Sequence, residues 1–289
     1  MTLTAAAALL LTSCGGGSPA RAVVSRVSAP RTVSIVCRSP ALDGRLPARV
    51  YLPAGYGARG RRFPVVYFLH GLPAGPTSYT QNMFVARALA SAHAAAIVVA
   101  PQGARSSDSD REYLDWSPAE DWPRAVSHDL TACVDRRFLT IAGRRGRALV
   151  GLSAGGYGAM DIGLRNLATF GAVESWSGYF VATDPSGYHV LKLPSAAAQR
   201  AAMVPRGPAL AADLTHHPAL IAFYVGSADD RFADVNQAYD ATLRRQGIPH
   251  VFRLYPGGHS AALWHREAPS WLTMALTFLA SGRTILRRP

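Results

Sequence analysis

The sequence predicts an α/β fold, with a mostly parallel central sheet and helices on both faces. Three observations predict it. Short apolar runs recur at 65–69, 96–101, 148–150, 171–176, 219–225 and 251–255 without in-out alternation, as strands covered on both faces require. Stretches with helical spacing lie between them, such as Val126, Leu130, Val134 and Phe138, or Val235, Tyr239 and Leu243. Several runs end in glycine-rich turns, and strands alternating with helices favour parallel pairing. With 289 residues, 49% of them hydrophobic, the chain suits one well-buried domain of the larger α/β size.

In chain order, residues 32–37 and 48–52 read as two strands joined through Asp43-Gly44, a hairpin-type turn. The run 65–69 is a central strand that ends in His70-Gly71-Leu72-Pro73-Ala74-Gly75, and a helix is expected over 78–92. After the strand at 96–101 comes a polar stretch, 103–121, acidic in its middle and expected as a surface loop. A helix over 122–138 leads to the strand at 148–150, a sharp turn, and a helix marked by Tyr157, Met160, Ile162, Leu164 and Leu167. After the strand at 171–176 the pattern weakens into Pro, Gly and Ala runs, so 177–218 is expected as a lid or substrate-pocket insert. Regularity returns with the strand 219–225, a helix ending at Gln246-Gly247, the strand 251–255 and a final helix over 263–280. The chain has no internal repeats.

The first 31 residues stand apart. Residues 3–12, LTAAAALLLT, are too short to cross a bilayer, which takes about 20 apolar residues. They look like the apolar core of a secretory signal, although MTLT places no Lys or Arg ahead of it. Leu11-Thr12-Ser13-Cys14 resembles a bacterial lipobox, in which the cysteine becomes the lipidated first residue of the mature chain. The organisation expected is a signal segment at 1–14, a flexible tether at 15–31 and a catalytic domain at 32–282, placed outside the cell or in its envelope and attached through Cys14. An ordinarily cleaved export signal and a structural N-terminal segment are the alternatives. Cys37 and Cys133 have no metal-ligand spacing, and a disulfide and two buried thiols are both compatible with the sequence.

Basic residues outnumber acidic ones 30 to 18, and Lys192 is the only lysine. The charges are scattered apart from clusters at 59–62, 144–147 and the tail, so no nucleic-acid partner is expected, since that would want a basic stripe with interleaved aromatics. Attraction to an anionic envelope suits the balance better.

The chemistry is concentrated at Gly151-Leu152-Ser153-Ala154-Gly155. Strand, sharp turn and helix would hold Ser153 clear of the sheet in a strained conformation, with glycine two residues either side where strand and helix cross. The Ala154 N–H then opens the helix and points where an oxyanion would form, and the loop after the 65–69 strand offers Leu72 N–H as a second donor. His70 reads as a structural residue beneath that loop. A base and an acid follow in the order Ser, Asp, His: Asp229 or Asp230 just past one strand, and His259 in the glycine-flanked loop past the next. The spacing from Gly226 favours Asp229 as the acid, with Asp230 expected to cap the following helix. Aligning on Arg231-Phe232 would favour Asp230. The other histidines read as surface or packing residues.

From about residue 32 to the final helix, the chain resembles the esterase D family of α/β-hydrolases, which includes feruloyl esterases, S-formylglutathione hydrolases and mycolyltransferases. The resemblance rests on YFLHGLPAG, the Asp115-Trp116 pair, DRRF, GLSAGGYGAM, GSADD and PGGHSAALW. It implies an α/β-hydrolase fold and a serine carboxylic-ester hydrolase in which Ser153 attacks an acyl carbonyl. His259 moves the proton, Asp229 orients the imidazole, and the N–H groups of Leu72 and Ala154 hold the oxyanion. No cofactor and no metal are implied, and the expected partner is a small-molecule, lipid or polysaccharide ester. An acyltransferase of the mycolyl type is the alternative within the family. There the oxyanion loop reads D-G-L-R-A, whereas here it is His70-Gly71-Leu72-Pro73-Ala74. A non-catalytic envelope-binding protein on the same scaffold is the alternative from another class.

Overall fold

A computed structural model of the chain describes residues 30–103, 113–184 and 186–282. The expected signal segment, Cys14 and most of the tether lie outside the described residues. Among the described residues, eight strands form one sheet in the order β1-β2-β4-β3-β5-β6-β7-β8. They are β1 (Arg31–Ser39), β2 (Gly44–Leu52), β3 (Val65–Leu69), β4 (Ile97–Pro101), β5 (Arg147–Leu152), β6 (Ala172–Trp176), β7 (Leu220–Gly226) and β8 (Val251–Tyr255). The first two pair antiparallel, β2 meets β4 antiparallel, and every later pairing is parallel. All carboxyl ends of the parallel strands therefore share one end of the molecule.

Each central strand is buried on both sides, which is why it reads as a continuous apolar run. In β3, Val65, Tyr67 and Leu69 face one core and Val66 and Phe68 the other. The first core lies under α4 (Ala154–Arg165) and α7 (Ala233–Arg245), together with α2 (Trp122–Arg124) and α3 (Thr131–Arg137). The second lies under α1 (Met83–Ser91) and α8 (Ala261–Ser281). Cys37 and Cys133 form a disulfide that ties β1 to α3.

Two helices depart from the sequence expectation for local reasons. The helix expected from residue 78 begins at Met83, after a 3-10 turn over Ser78–Thr80. The Asn82 amide donates to the Ser78 and Tyr79 carbonyls, which a continuous helix would give to the N–H groups of residues 82 and 83. The stretch 122–137 is helical throughout but widens to a π turn over Ala125–Leu130. There Ser127 Oγ donates to the Pro123 carbonyl and Thr131 Oγ to that of Ser127, competing with the regular ladder. Among the described residues, 177–218 hold two short helices, α5 (Ala196–Ala201) and α6 (Pro208–His216).

Candidate active site

The turn between β5 and α4 sets Ser153 at φ 54° and ψ −122°, a left-handed conformation that L-residues avoid. Neighbouring hydrogen bonds enforce it: Ser153 N–H donates to the Trp176 carbonyl at 2.9 Å, and Tyr157 N–H to the Ser153 carbonyl at 3.0 Å. The flanking glycines are required by close approach. A Cβ on Gly151 would run into the Gly155 carbonyl, and one on Gly155 into the Leu69 carbonyl of β3. No side chain fits where helix and strands cross.

Ser153 Oγ lies 3.0 Å from His259 Nε2, and His259 Nδ1 lies 2.7 Å from Asp229 Oδ2. Asp229 is buried and the His259 side chain is 14% exposed, so the acid is shielded while the base reaches the cavity. An ionised carboxylate only accepts, so Nδ1 carries the proton and Nε2 is left to accept from the serine hydroxyl. The loops bearing acid and base are stitched together, with Ser227 N–H donating to the Tyr255 carbonyl and Ala228 N–H to that of Gly257. Phe232 and Trp264 stand edge-on to the imidazole, and Trp264 Nε1–H donates to Ser177 Oγ at 3.1 Å.

Asp230 behaves differently from its neighbour. Its carboxylate accepts from the Tyr188 hydroxyl at 3.0 Å, which pushes the tyrosine pKa up. The expectation that Asp230 caps the next helix is corrected: α7 begins at Ala233, its N-cap is Phe232, and no side chain caps it. Its first N–H is taken by the Asp229 carbonyl at 2.9 Å instead.

Leu72 and Ala154 line the same cavity as Ser153 and His259, a space of about 180 Å³. His70 sits beneath the first of these. Its Nε2 accepts from Gly103 N–H at 3.1 Å, so Nδ1 carries the proton and donates to the Gly71 carbonyl at 3.0 Å. Burial pushes its pKa down, in keeping with a neutral ring.

The sequence reading named none of the wall from 177–218. Tyr179, Thr183, Asp184 and Gly187 reach the cavity, and beyond Phe232 a second pocket of about 300 Å³ lies among Tyr179, Phe180, Val235 and Tyr239. The signal available was topological, since residue 177 follows the carboxyl end of β6, where site residues gather. Among the described residues no group of three or more His, Cys, Asp or Glu is placed to hold a metal ion.

A protein-family model named Esterase, described as "Putative esterase", matches residues 39–270. A curated relative, an endo-1,4-beta-xylanase/feruloyl esterase of Xylanibacter ruminicola, is 30% identical over 132 residues. The match covers 43% of this chain and 18% of that protein, so the chain spans less than a fifth of the relative's length. Among solved structures, an S-formylglutathione hydrolase from Agrobacterium tumefaciens superposes with a TM-score of 0.70 at 20% identity, over 87% of this chain and 96% of that one. A ferulic acid esterase of Anaeromyces mucronatus, solved with ferulic acid, gives 0.65 at 19% identity over 91% and 96%. At these identities the structures share the fold.

Proposed function

The chain belongs to the esterase family, and from that premise we propose that it is a serine carboxylic-ester hydrolase working through an acyl-enzyme. The observation that carries the reading is the hydrogen-bonded series Asp229, His259, Ser153, opening into a cavity that Leu72 and Ala154 also line. Ser153 Oγ attacks the acyl carbonyl as His259 Nε2 takes its proton, and the N–H groups of Leu72 and Ala154 stabilise the tetrahedral oxyanion. His259 returns the proton to the leaving alcohol, water enters by the same route, and Asp229 holds the imidazole in the required tautomer throughout.

The substrate we infer is an ester with an apolar group, seated in the pocket beyond Phe232 whose walls are largely aromatic and aliphatic. We infer that residues 177–218 form the substrate-pocket insert, since Tyr179, Thr183 and Gly187 line both the cavity and that pocket. An exported chain suits the buried Cys37–Cys133 disulfide, a bond favoured in oxidising compartments, and the apolar run ahead of Cys14. Anchoring through Cys14 is tested by fractionation: the wild type should partition with membranes and Cys14→Ala should not.

Turnover of a short-chain aryl ester, with Ser153→Ala as the control, tests the activity. Equal rates for the two proteins would remove the reading. Product analysis with an added alcohol acceptor separates hydrolysis from acyl transfer.

A further inference from the structure

The arginine clusters that look scattered along the sequence meet at one end of the folded chain. Residues 59–62 precede β3, residues 136 and 137 close α3, and residue 145 lies just ahead of β5, so all of them sit at the amino ends of parallel strands. Contacts make the surface continuous. Phe63 N–H donates to the Leu139 carbonyl and Ile141 N–H to that of Phe63, while the Arg62 guanidinium donates to the Thr140 carbonyl at 3.2 Å. Arg61 lies over the Phe63 ring, and Arg31 lies over Tyr56, whose hydroxyl accepts from Leu139 N–H.

Arg59, Arg61, Arg62, Arg136, Arg137 and Arg145 are all exposed, and none makes an ion pair among the described residues. No acidic residue occurs in 53–64 or 136–147. The carboxylate that adjoins Arg136 in the chain, Asp135, is held by Arg147. At the same end Ile141 is 40% exposed, an apolar side chain flanked in the chain by Arg137 and Arg145.

Both ends of the described chain emerge there. Arg31 opens β1 opposite Leu52, and Leu52 lies at the end of β2 that meets the start of β4. The last turn of α8 packs near residue 144, with Leu279 close to Gly171 and the Arg144 carbonyl. Ser153, Asp229 and His259 stand at the opposite ends of the strands. The six residues of β5 separate the two ends by about 20 Å.

We propose that this arginine face docks the protein on an anionic phospholipid surface, with the active site turned outward. Unpaired guanidinium groups complement lipid phosphates, and an exposed isoleucine among them can enter the headgroup region, which a soluble polyanion gives it no reason to do. A chain leaving for residues 1–29 from this same end is compatible with that orientation.

The test uses the full chain carrying Cys14→Ala, which cannot be acylated there, in co-sedimentation with phosphatidylglycerol/phosphatidylcholine vesicles and with phosphatidylcholine alone. Each basic side chain at an anionic surface should strengthen partition about five-fold. The protein should therefore sediment only with the anionic vesicles, and raising salt from about 0.1 M to about 1 M, which shrinks the screening length to about 3 Å, should release it. Replacing Arg59, Arg61, Arg136 and Arg137 by Gln should weaken partition by more than about a hundred-fold. Replacing Arg38, Arg45, Arg253 and Arg266 instead should leave most of it. Turnover of a soluble aryl ester checks that both variants fold, and if the first does not, the pairs Arg59/Arg61 and Arg136/Arg137 are replaced separately. Undiminished binding by the first variant would place the binding elsewhere and overturn the proposal. So would binding to heparin in solution with none to vesicles, or equal binding to both kinds of vesicle.

Discussion

Asp229 Oδ2 lies 2.7 Å from His259 Nδ1, while the next residue, Asp230, is bonded to Tyr188. Neighbouring carboxylates in one loop thus take opposite tasks. Asp229→Asn leaves a hydrogen-bonding side chain but disfavours the tautomer that accepts from Ser153, so turnover should fall by orders of magnitude, up to about 10⁴, with the fold retained. Asp230→Asn alters one exposed contact and should stay within a few-fold of wild type. Comparing kcat and melting temperature for the two variants decides the matter; a dead Asp230→Asn beside an active Asp229→Asn would reverse the roles.

What the sequence made legible follows from how local each feature is. Central strands announce themselves because burial on both faces leaves only apolar residues, Val, Leu, Phe and Tyr in β3 and these with Ile, Ala and Gly in β7. The serine turn is legible because close approach admits only glycine at 151 and 155. Features set by particular side-chain partners were not. Asn82 delays the start of a helix through local bonds to the Ser78 and Tyr79 carbonyls that periodicity does not encode. Asp230 meets Tyr188 across 42 residues, through an insert with no regular pattern. The pairing of Cys37 with Cys133, 96 residues apart, depends on where α3 lies against β1. Arginine clusters look scattered until parallel strands bring their amino ends together.

The disulfide provides a second prediction. It closes a long loop between β1 and α3, both parts of the first core, and so restricts the unfolded chain. Replacing Cys37 and Cys133 by Ser should cost about 2–5 kcal/mol, measured by urea unfolding. A reductant should then lower the wild-type midpoint and leave that of the variant unchanged. No difference between the two proteins would mean that the loop is already constrained.

Asp161 provides a third, on pH. Burial of this α4 side chain raises its carboxyl from 3.8 to about 6, and the Arg165 guanidinium at 2.9 Å offsets only part of this. The native state therefore holds the proton where the unfolded chain has lost it. Stability from this group is fully present below about pH 3.8 and is lost as pH rises through about 6, with a ceiling of about 3 kcal/mol. Asp161→Asn cannot ionise. Its stability relative to wild type should rise by up to that amount between about pH 4 and 7, as followed by chemical unfolding. A difference that stays flat across this window would show that Asp161 is ionised freely in the fold.

The last prediction concerns His70, two residues ahead of Leu72, the proposed oxyanion donor. Its Nδ1–H is bonded to the Gly71 carbonyl, and that carbonyl belongs to the same peptide unit as the Leu72 N–H. In a planar trans peptide the C=O and N–H point in opposite directions, so fixing one toward His70 aims the other away from it. The ring in turn is fixed by Gly103 N–H on Nε2. On the proposed mechanism His70 is a positioning residue, which sets the Leu72 donor without touching substrate. His70→Ala should release the peptide and lower kcat by up to about 10²–10³, the loss expected for one oxyanion donor, with KM changed far less. His70→Gln, which offers a donor and an acceptor, should recover part of it. Acid should mimic the defect, because a proton on Nε2 would face the Gly103 N–H. Burial lowers the native pKa, so the group's contribution to stability is full above about 6.5 and is lost as pH falls through the lower native value. A purely packing role for His70 would lower melting temperature in both variants and leave kcat of the folded protein intact, and that outcome would refute the assignment.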